Sequence, residues 1–262
     1  MQHVDVKINA PVATLLIRRP EILGALDPIL IEDLQTALGD VHQEQKVRAV
    51  ILTGGGPYFC SGLDLSVMNR IAQMGDREIP DVPDPAAMAQ WFTLWQSWTS
   101  LLETMLRFPK PILAAVDGPA IGGGLGLALA ADIIIASDRA TFAAAAPVHG
   151  IVGGATLALL QFRLGAAAAA RYGMTARTLD AAAAHRIGLC DQPVTSDQIW
   201  VAAQQVGDEI ARSSDAAIAA SKRLLNETVG ETLLSNLSVA AATDASICST
   251  PAAEQRIAKF KT

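Results

Sequence analysis

The sequence predicts an α/β protein, and three observations support this prediction. A strand pattern, a helix pattern and a second strand that ends in a glycine loop follow one another within residues 12–57. A similar order recurs within residues 112–137, and from about residue 197 the apolar residues recur only at helical spacing. Alternating strands and helices favour a layered α/β core. We therefore predict an α/β core over residues 1–196 and a helical C-terminal region over residues 197–262.

The first unit begins with a predicted strand at Val12–Arg18. Asp27-Pro28 then provides an N-cap followed by proline at the first helical position. The helix that follows is predicted from apolar residues at helical spacing, namely Leu30, Leu34, Leu38 and Val41. Val47–Thr53 is rich in β-forming residues and ends at Gly54-Gly55-Gly56, which predicts a strand and a tight loop.

The second unit repeats this order less regularly. Ile112–Val116 predicts a strand, and the triple glycine Gly122–Gly124 leads into an apolar helical segment, Leu125–Ala130. A further strand is predicted at Ile133–Ser137. The order of the two units indicates a parallel sheet covered by helices.

Between the two units, residues 74–90 hold several prolines and acids, a composition typical of an exposed loop. Three of the four tryptophans follow directly at helical spacing, namely Trp91, Trp95 and Trp98, together with Phe92. Aromatic residues at this spacing favour a core stripe over the wall of an aromatic pocket.

The C-terminal region carries two apolar stripes at helical spacing. The first comprises Ile199, Ala202, Val206 and Ile210, and the second comprises Leu233, Leu234, Leu237, Ala241 and Ile247. The alanine-rich run at 165–171 also fits a helix, since alanine is the strongest helix former. Helices are therefore predicted throughout this part of the chain.

Composition excludes several functional classes. The 262 residues are 51% hydrophobic and 18% charged, which suits a globular domain, and the net charge of −6 is unfavourable for binding nucleic acid. Residues 140–162 contain no Asp, Glu, Lys or Arg, but Pro147, Gly150, Gly153 and Gly154 interrupt them, so we expect buried core and no membrane association. Three cysteines without CxxC spacing and no visible export signal favour a reducing, cytoplasmic setting, without a metal site.

Two glycine loops are the strongest functional signal. The first, at residues 54–65, follows a strand, and the second, Gly122–Gly124, follows another strand and opens a helix. Two such loops are able to aim peptide N–H groups at one oxygen that becomes negatively charged. A nucleotide-binding role is disfavoured, because the sequence has no GxxxxGK[ST] and GGGLG does not give a dinucleotide fingerprint.

The chain resembles the crotonase (enoyl-CoA hydratase/isomerase) superfamily from about Leu15 to Phe260. The resemblance rests on the order and spacing of Arg19-Pro20 with Ala25-Leu26, VRAVILTG, FCSGLDL, KPILAAVDGPAIGGGLGLALAADIIIAS and TARTLDAAAAHRIGL. It implies a crotonase-type spiral of ββα units with a C-terminal helical region in trimer contacts. A homotrimer or homohexamer is implied too. CoA is then part of the substrate thioester, and no cofactor is permanently bound.

The resemblance also implies residue roles. The amides of Leu63 and Gly123 match the two oxyanion-hole donors that hold the thioester carbonyl. Four positions match the part of the family that cradles the CoA moiety: Leu23, Ala25, Ser61 and Leu65.

The chain departs from the family where a hydratase carries its two glutamates. Those positions fall on Gly126 and Ala146, and neither residue is able to move a proton. No Asp or Glu occurs between Asp117 and Asp132, so a shift of register does not restore the first one. The acid of some dienoyl-CoA isomerases and the nucleophilic aspartate of the 4-chlorobenzoyl-CoA dehalogenases both fall on Gly154. The dehalogenase histidine falls near Gln90 and Trp91.

Other groups are weaker candidates for chemistry. His149 is the one histidine in the family-like site region and a candidate acid or base, although a lone histidine in an apolar segment is more often structural. Asp64 is expected to hydrogen-bond backbone in its turn. Glu103 and the loop acids Asp76, Glu78, Asp81 and Asp84 are expected to be solvated surface charges, and Cys60 has no histidine nearby in sequence to activate it.

Three functions remain open. The first is a CoA-thioester enzyme that stabilises an enolate through two backbone amides, in a decarboxylation, hydrolysis or isomerisation. The second is ordinary enoyl-CoA hydration or isomerisation, which lacks its expected acid and base. The third is a catalytically silent acyl-CoA binding protein. The first is favoured, with the silent binder as the alternative.

Overall fold

The computed structural model describes residues 1–74, 84–228 and 230–259. Its strands form a five-stranded and a three-stranded sheet. In chain order they are β1 (Val4–Asn9), β2 (Val12–Ile17), β3 (Ala49–Gly54), β4 (Ile112–Val116), β5 (Pro119–Ile121), β6 (Ile133–Ala136), β7 (Thr141–Ala143) and β8 (Leu179–Asp180). The four predicted strands, at 12–18, 47–53, 112–116 and 133–137, are confirmed as β2, β3, β4 and β6, whereas β1, β5, β7 and β8 were not predicted.

The larger sheet has the order β1-β2-β3-β4-β6. Strands β1 and β2 pair antiparallel, and every other neighbouring pair is parallel. In the smaller sheet, with the order β5-β7-β8, β5 and β7 pair parallel and β7 and β8 antiparallel. Parallel neighbours need crossover connections, which the helices provide.

The helices are α1 (Pro28–Gln43), α2 (Leu65–Ala72), α3 (Pro85–Arg107), α4 (Gly123–Ala130), α5 (Gly154–Leu164), α6 (Ala166–Thr175), α7 (Ala181–Arg186), α8 (Ile199–Ala211), α9 (Asp215–Arg223), α10 (Glu231–Cys248) and α11 (Pro251–Ile257). Asp27 caps α1 as predicted, since its side chain accepts a hydrogen bond from the Leu30 N–H at 2.7 Å. Within the described residues, no helix is long and apolar enough to cross a membrane.

One face of the larger sheet packs against α1, α3 and α4 in the main core. The other face, with Ile51, Leu113 and Ile135, is covered by α8 through Ile199 and Ala203. Both stripes predicted for the C-terminal part therefore lie on helices, and α8 packs directly on the α/β core. In the described residues after Asp197, no strand is found.

The predicted loop over 74–90 is wrong at its C-terminal end. Helix α3 begins at Pro85, and the Asp84 carboxylate accepts hydrogen bonds from the Ala86 and Ala87 N–H groups. Asp84-Pro85 is thus the same start signal as Asp27-Pro28. Residues 75–83, with Asp76, Glu78 and Asp81, lie outside the described residues.

Candidate functional site

The two glycine loops meet at the centre of the molecule. The Ile121 N–H donates to the Cys60 carbonyl at 3.0 Å, and the Leu26 N–H donates to the Gly62 carbonyl at 2.7 Å. The Asp64 N–H returns a bond to the Leu26 carbonyl at 2.8 Å. Leu63 is therefore held between two paired residues, and its own N–H faces away from Leu26.

Close contact between the loops explains two of the glycines. Gly62 has φ of +96°, and a Cβ there would lie 2.7 Å from the Ile121 carbonyl oxygen. At Gly124 a Cβ would lie 2.0 Å from the Cys60 carbonyl oxygen, which no side chain permits. The glycines thus allow one loop to lie directly on the other.

This contact brings the amides of Leu63 and Gly123 together. A Cβ built on Gly123 would lie 3.5 Å from the Leu63 nitrogen, and one built on Gly62 would lie 3.1 Å from the Gly123 nitrogen. Gly123 is the first residue of α4, where N–H groups have no partner within the helix. In the described part of the chain, neither N–H donates to a backbone carbonyl outside the helices and strands.

Both residues line one cavity of about 650 Å³, counted with its open mouth. Its walls come from the two glycine loops, α2, α3, α5 and the segment before α5. The apolar side chains that line it include Leu65, Met68, Trp95, Trp98, Ile151, Val152 and Leu157. Among the described residues that line it, the side chains of Ser61, His149 and Thr156 are polar and none is a carboxylate.

His149 lies in this cavity at the end of a 3-10 turn over Ala146–His149. Burial lowers its pKa, because the charged imidazolium loses hydration. The imidazole is therefore mostly in its neutral form at pH 7. His149 thus lines the same cavity as Leu63 and Gly123, and its role in the site stays a prediction.

The tryptophans belong both to the core and to the wall of the cavity, the two alternatives considered from the sequence. Trp91, Trp95 and Trp98 are buried core residues, as favoured, but Trp95 and Trp98 also line the cavity. Phe92 is exposed instead.

Trp98 also fills the space beside Gly126, a position that the sequence resemblance matches to a glutamate of the family. A Cβ on Gly126 would lie 2.9 Å from Cζ2 of Trp98 and 3.0 Å from Oγ1 of Thr156. The Thr156 hydroxyl donates to the Gly122 carbonyl at 3.2 Å. Sequence reasoning missed Thr156, because nothing in its helical context distinguishes it.

At Gly154, which the sequence resemblance matches to an acid of some related enzymes, a side chain would meet another helix. A Cβ there would lie 2.9 Å from Cβ of Ala240 and 3.4 Å from Oδ2 of Asp244, both in α10. Asp244 is the second residue that the sequence analysis missed. Its signal was present, since it lies seven residues after Leu237 on the apolar face of α10.

Arg19 connects the segments around Leu63. Its guanidinium donates to the Ala25 carbonyl at 2.6 Å and lies 3.1 Å from the Asp27 carboxylate and 3.5 Å from that of Asp64. Asp64 also caps α2 by accepting from the Ser66 N–H at 2.9 Å, so its expected backbone bond is confirmed.

The residues expected to cradle CoA are only partly together. Ser61 and Leu65 line the cavity, whereas Leu23 and Ala25 do not. Leu23 is 38% exposed, and its carbonyl accepts a hydrogen bond from the Ser61 N–H of the first glycine loop at 3.0 Å. Ala25 is buried.

Two weaker candidates are placed as expected. Glu103 pairs with Arg107 at 2.9 Å with 46% of its side chain exposed. Cys60 is buried, which raises the pKa of its thiol to about 12 and makes it a poor nucleophile. Within the described residues, no group of three or more His, Cys, Asp and Glu is placed to hold a metal ion.

Comparison with known proteins identifies relatives over the whole chain. Residues 7–261 match the enoyl-CoA hydratase/isomerase family. A putative enoyl-CoA hydratase of Thermus thermophilus is 28% identical over 249 residues, which covers 95% of this chain and 94% of that protein. The 4-chlorobenzoyl coenzyme A dehalogenase-2 of an Arthrobacter species is 28% identical over 232 residues, which covers 88% of this chain and 80% of that one.

The fold has close structural counterparts. The crystal structure of an enoyl-CoA hydratase/isomerase from Mycobacterium paratuberculosis superposes with a TM-score of 0.85 at 21% identity and covers 98% of both chains. The crotonase-type α/β fold predicted from the sequence is therefore confirmed.

Proposed function

The chain belongs to the enoyl-CoA hydratase/isomerase family, and from this premise we propose that it binds an acyl-CoA thioester and stabilises its enolate between two backbone amides. The observation that carries the proposal is the meeting of the Leu63 and Gly123 amides at one apolar cavity. A thioester carbonyl oxygen between them gains negative charge in the transition state. Each such donor typically contributes about 3–4 kcal/mol to that state.

The acid–base groups favour a reaction that handles one proton at a time. Hydration of a double bond in this family uses two glutamates, and their positions are Gly126 and Ala146 here. His149 is the titratable side chain among the described residues that line the cavity, and its neutral form accepts one proton. We therefore favour decarboxylation, hydrolysis or isomerisation over hydration.

Each of these reactions balances with the groups in place. In a decarboxylation the bond between Cα and a β-carboxylate breaks, CO2 leaves, the electron pair of that bond forms the enolate, and Cα then takes a proton from water or imidazolium. In a hydrolysis His149 takes a proton from water as the water oxygen bonds to the thioester carbon. The resulting oxyanion collapses, the C–S bond breaks, and the imidazolium returns its proton to the sulfur, so that CoA leaves as the thiol. In an isomerisation the same imidazole removes a proton from one carbon and returns it to another.

We propose that the same loops also hold the CoA moiety. We assign Ser61 and Leu65 to the cavity end of the cradle and Leu23 and Ala25 to its outer end, where Leu23 is 38% exposed. A homotrimer or homohexamer with α8–α11 in its contacts and a cytoplasmic location complete the proposal. Sedimentation of the purified protein tests the oligomeric state.

A catalytically silent acyl-CoA binding protein is the second candidate. It is favoured by Trp98, which fills the space beside Gly126 with an apolar ring where the family carries an acid. The two candidates share the ligand and differ only in turnover.

The test is calorimetric titration with acetyl-CoA, crotonyl-CoA, benzoyl-CoA and malonyl-CoA, followed by mass analysis of the same samples after incubation. Binding with a changed mass supports the enzyme and identifies its reaction class. Binding without change across the panel supports the silent binder, and no binding contradicts both.

A further inference from the structure

A buried carboxylate holds the start of the helix that forms one wall of the cavity. Asp244 in α10 is 1% exposed. Its Oδ1 accepts a hydrogen bond from the Gly153 N–H at 2.8 Å, and its Oδ2 accepts one from the Gly154 N–H at 2.8 Å. Both carboxylate oxygens thus accept hydrogen bonds from amides at the N-terminus of α5, where the helix dipole favours a negative charge.

Helix α5 passes this constraint on to the proposed oxyanion hole. Gly153 has φ of +66° and lines the cavity, as do Thr156 and Leu157 one turn further along. The Thr156 hydroxyl donates to the carbonyl of Gly122, the residue directly before the donor amide of Gly123. A shift at the start of α5 therefore moves both the cavity wall and a contact of the glycine loop.

Burial of the Asp244 carboxylate is unfavourable, because the charged group loses its hydration. Burial raises the pKa of Asp244 to about 6, whereas the hydrogen bonds from Gly153 and Gly154 lower it. The titratable neighbour is Cys248 on the same helix, and burial keeps the pKa of that thiol far above its usual value, so it is neutral. None of the charged side chains on the packed helices contributes to the shift at Asp244, namely Glu103 and Arg107 of α3, Arg163 of α5, and Glu254 and Arg256 of α11. At pH 7 the group is ionised at a cost to folding, which points to a use other than stability.

We propose that Asp244 is a positioning residue, which fixes the start of α5 and through it the acyl-binding wall of the cavity. The identity of the ligand rests on the proposed function, whereas the constraint on α5 does not.

The test begins with Asp244→Asn, which keeps the size of the side chain. Its amide offers one acceptor oxygen, so one of the two N–H groups loses its partner. We expect hydrogen exchange in peptides covering residues 151–157 to accelerate by about tenfold or more. Affinity for the tightest-binding of acetyl-CoA, crotonyl-CoA and benzoyl-CoA should fall by about tenfold, while affinity for free CoA stays within about twofold.

Asp33→Asn is the matched control. Asp33 is also buried, at 9% exposed, and its carboxylate accepts the N–H groups of Gln2 and His3, both at 2.6 Å. It lies outside the cavity lining. The control should leave exchange in 151–157 and both affinities unchanged.

Three results would overturn the proposal. The first is unchanged exchange of 151–157 in Asp244→Asn, or in Asp244→Ser if the first variant does not fold. The second is an equal loss of affinity for free CoA and for the thioester. The third is fast exchange of the first α5 amides in the wild type itself, which needs no variant. If the wild type binds no thioester, the proposed function fails, and the exchange measurements still decide the role of Asp244.

Discussion

The indole of Trp98 occupies the space that a side chain at Gly126 would need. The nearest ring atom, Cζ2, would lie 2.9 Å from a Cβ at this position, closer than real Cβ contacts allow. Trp98 is 1% exposed. A side chain introduced at Gly126 would therefore meet a large residue of a different helix, and an acid placed there has no room unless the Trp98 ring moves.

Gly126→Glu should accordingly destabilise the protein and yield no crotonyl-CoA hydration, alone or with Ala146→Glu. Overpacking of this kind typically costs about 1–3 kcal/mol. Adding Trp98→Ala should recover part of that loss, because it removes the clashing ring, even though Trp98→Ala alone leaves a cavity. Denaturant unfolding of the two single variants and the double variant measures this coupling. Additive effects would show that the two residues do not compete for space.

Gly123→Pro should abolish turnover while the fold is retained. Proline removes the N–H of Gly123 but is well tolerated at the first position of a helix, and the closest contact of a Cβ there is the side-chain end of Leu26 at 3.0 Å. Losing one oxyanion donor typically lowers kcat by about 10²–10³. Gly123→Ala is the control, because it adds the same Cβ and keeps the amide. An equal loss of kcat in both variants would point to packing and remove the amide from the mechanism.

Much of the fold was readable from local signals. The start of α1 at Asp27-Pro28 was predictable because the Asp27 carboxylate accepts a hydrogen bond from an amide of the first helical turn. The glycine loops were predictable because residues without a Cβ allow a tight backbone contact. The same start signal at Asp84-Pro85 was outweighed by the prolines and acids around it, and this misplaced the start of α3.

The missed part of the site depends on contacts between distant residues. Asp244 accepts a hydrogen bond from Gly153, a residue 91 positions away in sequence. Trp98 and Gly126 lie on two different helices, and the spacing of apolar residues in the sequence does not show that these helices touch. Helical spacing places Asp244 on an apolar face but does not reveal which amides its carboxylate reaches. Such pairings follow from how the layers pack, which is set by the whole core.

His149→Gln should lower kcat by about 10²–10⁴ if the imidazole is the base, with little change in the affinity for free CoA. Because burial lowers the His149 pKa below its ordinary value of 6.5, the neutral form persists below that pH. The wild-type rate should therefore rise with pH through a midpoint below 6.5. A rate profile from pH 5 to 8 checks this, and an unchanged acidic limb in His149→Gln would exclude His149 as its source.

Ionisation of Asp244 should reduce folding stability as the pH rises from about 4 to about 6. Its pKa is 3.8 in a solvated carboxyl and about 6 here, so between these values the folded protein holds a proton that the unfolded chain has lost. Each pKa unit corresponds to about 1.4 kcal/mol, which gives a loss of about 3 kcal/mol over this window. The free energy of unfolding of the wild type minus that of Asp244→Asn isolates this change. A difference that is constant from pH 4 to 7 would mean that the carboxyl titrates as it does in water.

Arg19→Met should destabilise the protein far more than the same change at the adjacent Arg18. Arg19 is 8% exposed and faces two carboxylates and one carbonyl, so its removal leaves Asp27 and Asp64, whose side chains are 12% and 14% exposed, without this cation. Breaking a buried ion pair in this way typically costs about 3–5 kcal/mol. Arg18 pairs with Asp5 at 3.0 Å, but the two side chains are 59% and 49% exposed, and such pairs contribute about 0–1 kcal/mol. Because Arg19 joins Ala25 to Asp64, its loss should also loosen the turn that presents the Leu63 amide. Unfolding in urea measures the first effect and hydrogen exchange of residues 60–66 the second; equal stability of the two variants would refute the role of Arg19.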